Sequence, residues 1–127
     1  MEYVKQVNAL VDFFKSGEKN PYDCKAGMEM EHFIVQKHTL RSVPYFGERG
    51  VENLLKQLAS AGWQPETEDG HILALRKNDA AISLEPGGQL EISIGPYGSL
   101  KDIEESYVSF LGDMTGILDE YGYLLMS

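Results

Sequence analysis

The chain has 127 residues, a formal net charge of −9 and a single cysteine, Cys24. That length suits one domain able to bury roughly two-thirds of its unfolded surface, and one cysteine excludes an internal disulfide framework. The acidic balance disfavours phosphate backbones and anionic lipid as partners, and no apolar run approaches the ~20 residues needed to cross a bilayer.

Val4, Val7, Leu10, Val11 and Phe14 recur at helical spacing before Ser16-Gly17, which predicts an amphipathic first helix. The opening MEYVKQVNAL lacks the charged and apolar blocks of a signal peptide, so the expected location is the cytoplasm. After the polar loop GEKNPYDCK, residues 26–35 read AGMEMEHFIV, whose alternation and β-branched content predict a strand. Residues 43–46 read as a short extended piece. Val51, Leu54, Leu55, Leu58 and Ala61 then mark a second helix stopped by Gly62.

Residues 63–68 and 71–76 flank Asp69-Gly70 as a hairpin, and Asn78-Asp79 turns the chain into residues 80–84. Pro86-Gly87-Gly88 precedes a strand with Gln89, Glu91 and Ser93 on one face and Leu90, Ile92 and Ile94 on the other. Ser99 to Asp102 resembles a capping box. A long helix follows, its stripe formed by Leu100, Ile103, Tyr107, Phe110, Leu111, Met114, Ile117, Leu118 and Tyr121, with Gly122 as its stop. Residues 123–127 look like the beginning of another strand, an apolar tail without a partner in this chain unless it folds back onto its own sheet. The order α-β-α-β-β-β-α predicts an α+β domain over residues 1–127, an antiparallel sheet with helices packed on one face.

Acids within strands carry the functional signal. Glu29 and Glu31 lie two residues apart on a predicted strand, so both point to one face at a separation of ~6.5 Å. Like charges so placed repel unless water or a cation lies between them, and a hard ion such as Mg²⁺ or Mn²⁺ selects carboxylate oxygen. Glu91, on a second strand, can complete such a cluster. His32 falls on the opposite face with Met28, Met30 and Ile34 and reads as a hydrogen-bonded histidine at the core margin. Cys24 reads as a structural or incidental thiol, and His38 and His71 as loop or turn residues without a specific signal.

Two segments carry a family resemblance. Gly27-Met28-Glu29-Met30-Glu31-His32-Phe33 is similar to the Gly-x-Glu-x-Glu-x-Phe strand of plant-type glutamate-cysteine ligases, and residues 82–93, ISLEPGGQLEIS, resemble that family's Leu-Glu-Pro-Gly-Gly-Gln-Leu-Glu signature. Gly-Gln-x-Glu followed by Gly-Pro also resembles eukaryotic glutamine synthetases. The resemblance runs over about residues 26–96.

It implies part of a glutamine synthetase-like catalytic fold, here incomplete, corresponding to the N-terminal portion of a larger ligase domain. It also implies γ-glutamylcysteine synthesis: ATP phosphorylates the γ-carboxylate of glutamate, and the amine of cysteine attacks the acyl phosphate. Glu29, Glu31, Glu85 and Glu91 are the implied ligands of Mg²⁺ or Mn²⁺, with Gln89 and Ser93 implied in substrate contact. A chain this short is expected to be inactive alone. The competing reading is a non-catalytic α+β binding or assembly module, and a homodimer through an exposed sheet edge is a further expectation.

Overall fold

Backbone turns set the architecture of the computed structural model, which describes residues 2–127. Its elements are α1 (Glu2–Ser16), β1 (Ala26–Gln36), α2 (Val51–Ser60), β2 (Gln64–Glu68), β3 (His71–Lys77), β4 (Ala80–Glu85), β5 (Gln89–Tyr97), α3 (Leu100–Tyr121) and β6 (Tyr123–Met126), with a short 3-10 turn at Pro21–Asp23. Asp69 and Gly70 both adopt positive φ, 50° and 83°, as the tight turn of a two-residue hairpin requires. The chain from β2 to β5 is consequently a meander. β1 then pairs with β5, closing a six-stranded antiparallel sheet in the order β2-β3-β4-β5-β1-β6.

The predicted fold class holds, an α+β chain with an antiparallel sheet, and three details differ. Four strands separate α2 from α3, one for each extended segment read from the sequence, whereas the order α-β-α-β-β-β-α counts only three. Residues 43–46 form no strand, although Val43 donates its N–H to the Ile34 carbonyl at 2.9 Å. His71 opens β3 instead of occupying a turn.

A larger correction concerns the C-terminal segment, for which the alternative of folding back onto its own sheet holds in place of an unpartnered tail. Gly122 takes φ 68° and closes α3, and that left-handed residue reverses the chain so that β6 lies against β1, pairing Tyr123 with Gln36 and Leu125 with Ile34. Tyr123 is buried, and its hydroxyl donates to the Arg49 carbonyl at 2.5 Å. The sheet edges are therefore β2 and β6, and the tail is already used within its own chain.

The core lies on the helix-covered face. Leu54, Leu55 and Leu58 of α2 and Ile103, Phe110, Met114 and Leu118 of α3 close over Leu75, Ile82, Leu90 and Ile92 of the sheet. Leu100, included in the predicted stripe, is exposed at the first position of α3. Ser99 caps that helix, its hydroxyl accepting the Lys101 N–H at 3.1 Å. Trp63 is buried under α3, donating its indole N–H to Asp113 at 3.0 Å, and Lys77 reaches the same carboxylate oxygen at 2.6 Å. α1 forms as predicted, yet none of its residues is buried.

Candidate functional site

Strand register decides which side chains share the uncovered face. Residues directly opposite in an antiparallel pair point to the same side. Glu31 stands opposite Glu91, which stands opposite Ser83; one step along, Glu29 stands opposite Ser93, and Ser93 opposite Ala81. Glu85 pairs with Gln89, two residues before Glu91. All six residues singled out from the sequence, Glu29, Glu31, Glu85, Gln89, Glu91 and Ser93, thus lie on one face of the β4-β5-β1 ladder. That face is the one opposite the helices.

The turn between Glu85 and Gln89 explains its own signature. Gly88 donates its N–H to the Glu85 carbonyl at 3.0 Å, while Gly87 and Gly88 take φ of 85° and 76°. Proline supplies the negative φ of the first corner and glycine the positive φ that follows, as in a type II turn. The loop thereby returns the chain in register, with Glu85 opposite Gln89. A side chain at Gly87 would be strained by its backbone even though open space surrounds it.

Within the face, Glu91 is half-buried while Glu29 and Glu31 are exposed. One oxygen of Glu91 accepts from Ser93 at 3.0 Å and from Ser83 at 3.4 Å. None of the four glutamates enters an ion pair among the described residues. Arg76, which shares a row with Ala81 on this face, is committed to Glu66. The donor chemistry is carboxylate and hydroxyl oxygen, which fits a hard divalent cation. The acids are arrayed along a floor and not gathered: among the described residues no group of three or more His, Cys, Asp or Glu is drawn together closely enough to hold a metal ion. Strand spacing and like-charge repulsion both act against convergence of the bare carboxylates.

Ser83 was not among the sequence candidates. The alternation of Ile82, Ser83 and Leu84 placed it on the face of Glu85, and only the β4-β5 register puts it beside Glu91. His32 is buried on the helix side, bonded through Nε2 to the Tyr107 hydroxyl at 3.2 Å and through Nδ1 to the Ser127 hydroxyl at 2.7 Å. Burial pushes its pKa down from the usual histidine value. The expected hydrogen-bonded histidine is thus present, deeper in the core than predicted. Cys24 is exposed and free.

A separate cleft of about 430 Å³ opens at the turn end of the sheet, with Tyr45, Phe46, His71, Leu73 and Leu84 in its lining and none of the four glutamates. His71 there bonds to Glu52 at 2.9 Å, and that hydrogen bond, with help from Lys56, holds the Glu52 carboxyl below the usual range. No helix among the described residues is long and apolar enough to cross a membrane.

A one-sided antiparallel sheet bearing an acidic floor is the frame that the two sequence signatures occupy. Residues 25–127 match the model described as Glutamate-cysteine ligase family 2 (GCS2). The chain belongs to the glutamate-cysteine ligase family. Similar proteins include glutamate–cysteine ligase A, chloroplastic, of Oryza sativa subsp. japonica, 31% identical over 113 residues. The glutamate–cysteine ligases, chloroplastic, of Medicago truncatula and Nicotiana tabacum are 31% and 32% identical over 114 residues. Each alignment covers 89% of this chain, but only 23%, 22% and 21% of the respective relative. The chain spans less than a quarter of the length of these relatives.

Proposed function

We propose that this chain supplies the acidic floor of an ATP-dependent carboxylate-amine ligase of the glutamate-cysteine type, as the N-terminal portion of a glutamine synthetase-like catalytic domain. The observation that carries the reading is the single face shared by Glu29, Glu31, Glu85, Gln89, Glu91 and Ser93, with Glu31 directly opposite Glu91. In the proposed reaction ATP phosphorylates the γ-carboxylate of glutamate, and the amine of cysteine displaces phosphate to form γ-glutamylcysteine. Bound Mg²⁺ or Mn²⁺ would neutralise phosphate charge. Glu29, Glu31, Glu85 and Glu91, spread over three strands, would supply the carboxylates for such ions, with Glu31 and Glu91 the directly opposed pair.

The chain's own residues have narrower tasks. Ser83 and Ser93 fix one oxygen of Glu91 and leave its other oxygen for a ligand. Gln89 and Ser93 flank Glu91 along β5 and are placed to meet glutamate or ATP. An acidic floor repels phosphate unless cations intervene, and Arg76 is already paired, so a divalent ion is the natural mediator. A reducing compartment belongs to this reading. The sequence suggests the cytoplasm, the plant relatives are named chloroplastic, and a free exposed Cys24 is compatible with either.

Free Mn²⁺ measured by electron paramagnetic resonance during titration tests the reading. The chain is expected to bind Mn²⁺ weakly at the Glu31–Glu91 pair, with Glu31→Gln/Glu91→Gln lowering the affinity at least about tenfold. Equal binding by the variant would leave the floor without its assigned role and favour a non-catalytic binding or assembly module.

A further inference from the structure

The cleft at the turn end of the sheet carries acceptors that the acidic floor does not use. Leu84 and Glu85 are neighbours on β4, and strand alternation sends Leu84 to the helix side, where it pairs with the buried Leu90, and Glu85 to the floor. Cleft and floor thus lie on opposite sides of the sheet at the Pro86-Gly87-Gly88 turn. Tyr45, Phe46 and His71 form one corner of the cleft, their ring planes 74–88° apart and their centroids separated by 4.8–6.2 Å. Tyr45 is anchored, its hydroxyl donating to the Ile72 carbonyl at 2.7 Å, whereas Phe46 stands 64% exposed.

The polar side chains available there all accept. Nδ1 of His71 lies 2.9 Å from Glu52. A carboxylate can only accept, so Nδ1 donates, and the neutral ring keeps the Nε2 lone pair free for a donor. Glu68 and Asp69 add two carboxylates, neither of them in an ion pair among the described residues. Their hairpin turn is fixed by the positive φ of Asp69 and Gly70. No lysine or arginine is in the described lining, whose remaining walls include Leu73 and Leu84. The charge of −9 on the whole chain draws in cations as well.

Apolar walls select among cations. An ammonium is compact and strongly hydrated, so entering such a cleft costs it much of its water. A guanidinium is planar and weakly hydrated, stacks on aromatic rings and offers a fork of donors to carboxylate. We propose that this cleft binds a guanidinium carried on a short apolar stem, its plane against the aromatic corner and its N–H groups toward Glu68, Asp69 and Nε2 of His71.

Amide NMR spectra recorded during titration with n-butylguanidinium, in about 0.15 M salt to screen diffuse attraction, test the site. A probe of this size should bind with a Kd on the order of 1 mM. The shifts should centre on residues 45–46, 68–73 and 88. n-Butylammonium should bind at least about fivefold more weakly, and the uncharged 1-pentanol should give no saturable shift. Glu68→Gln/Asp69→Asn should raise the Kd about fivefold or more, and Phe46→Ala about threefold. These three side chains are exposed, so unfolding midpoints read by Trp63 fluorescence should match the parent and exclude misfolding as the cause. A blocked Gly-Arg-Gly peptide assigns the source: tighter binding than n-butylguanidinium points to an arginine side chain of a protein, weaker binding to a free small molecule, and either supports the site. Shifts spread over the acidic surface at large, equal affinity for the ammonium, or binding indifferent to the two acid substitutions overturns the proposal.

Discussion

At the scale of single residues, Asp113 and His32 each bind a strand to α3. Asp113 accepts both the Trp63 indole N–H and the Lys77 ammonium. Replacing it with alanine leaves a buried donor unsatisfied, and Asp113→Ala should lower the unfolding free energy by about 1–3 kcal/mol in urea melts. His32 is held neutral, its folded pKa depressed by burial. As pH falls through the unfolded value of about 6.5 the unfolded chain takes up a proton that the folded chain refuses. Stability should therefore drop as pH falls from about 6.5 toward the lower folded pKa. His32→Phe should flatten that slope in denaturation midpoints taken between about pH 7 and pH 5; an unchanged slope would place the titration elsewhere. The carboxylate face was legible because period-2 alternation assigns a face without knowledge of neighbours, as with Glu29, Glu31 and Glu91. Ser83 was not, since its contact with Glu91 depends on which strands pair and in what register.

At the scale of elements, local signals located most boundaries, and long-range pairing decided the rest. Ser99 and Gly122 bracket α3 by capping chemistry alone, and Ser99→Ala should cost about 1 kcal/mol, measurable by chemical denaturation. The fate of β6 was not written in residues 123–127, because an apolar tetrapeptide pairs with whichever edge the preceding turn presents. Here that edge is β1. Tyr123→Ala removes a buried ring and should destabilise the chain by about 3–5 kcal/mol. Deleting residues 123–127 should uncover the edge of β1 and promote aggregation, seen by light scattering, instead of releasing a monomer. α1 shows the opposite limit of sequence reading. Its periodicity announced a helix with one apolar face, but not that the face would be left open.

At the scale of the whole molecule, one face of the sheet builds the core and the other carries the acids. Helices cover the side that carries Leu75, Ile82, Leu90 and Ile92, while the acids stand on the uncovered side. On the proposed reading, ATP phosphates need cationic contacts, Arg76 is already engaged with Glu66, and the chain spans under a quarter of the length of these relatives. The chain alone should accordingly show no glutamate- and cysteine-dependent ADP formation above that of Glu91→Ala. The proposed metal role of the floor is tested most directly by residue-resolved paramagnetic broadening of amide NMR signals during Mn²⁺ addition. Signals of Glu29, Glu31 and Glu91 and their strand neighbours should broaden first, at substoichiometric metal. Broadening that begins instead at the acidic surface of α3, around Asp102, Glu104 and Glu105, would contradict the assignment of the floor as the metal-binding face.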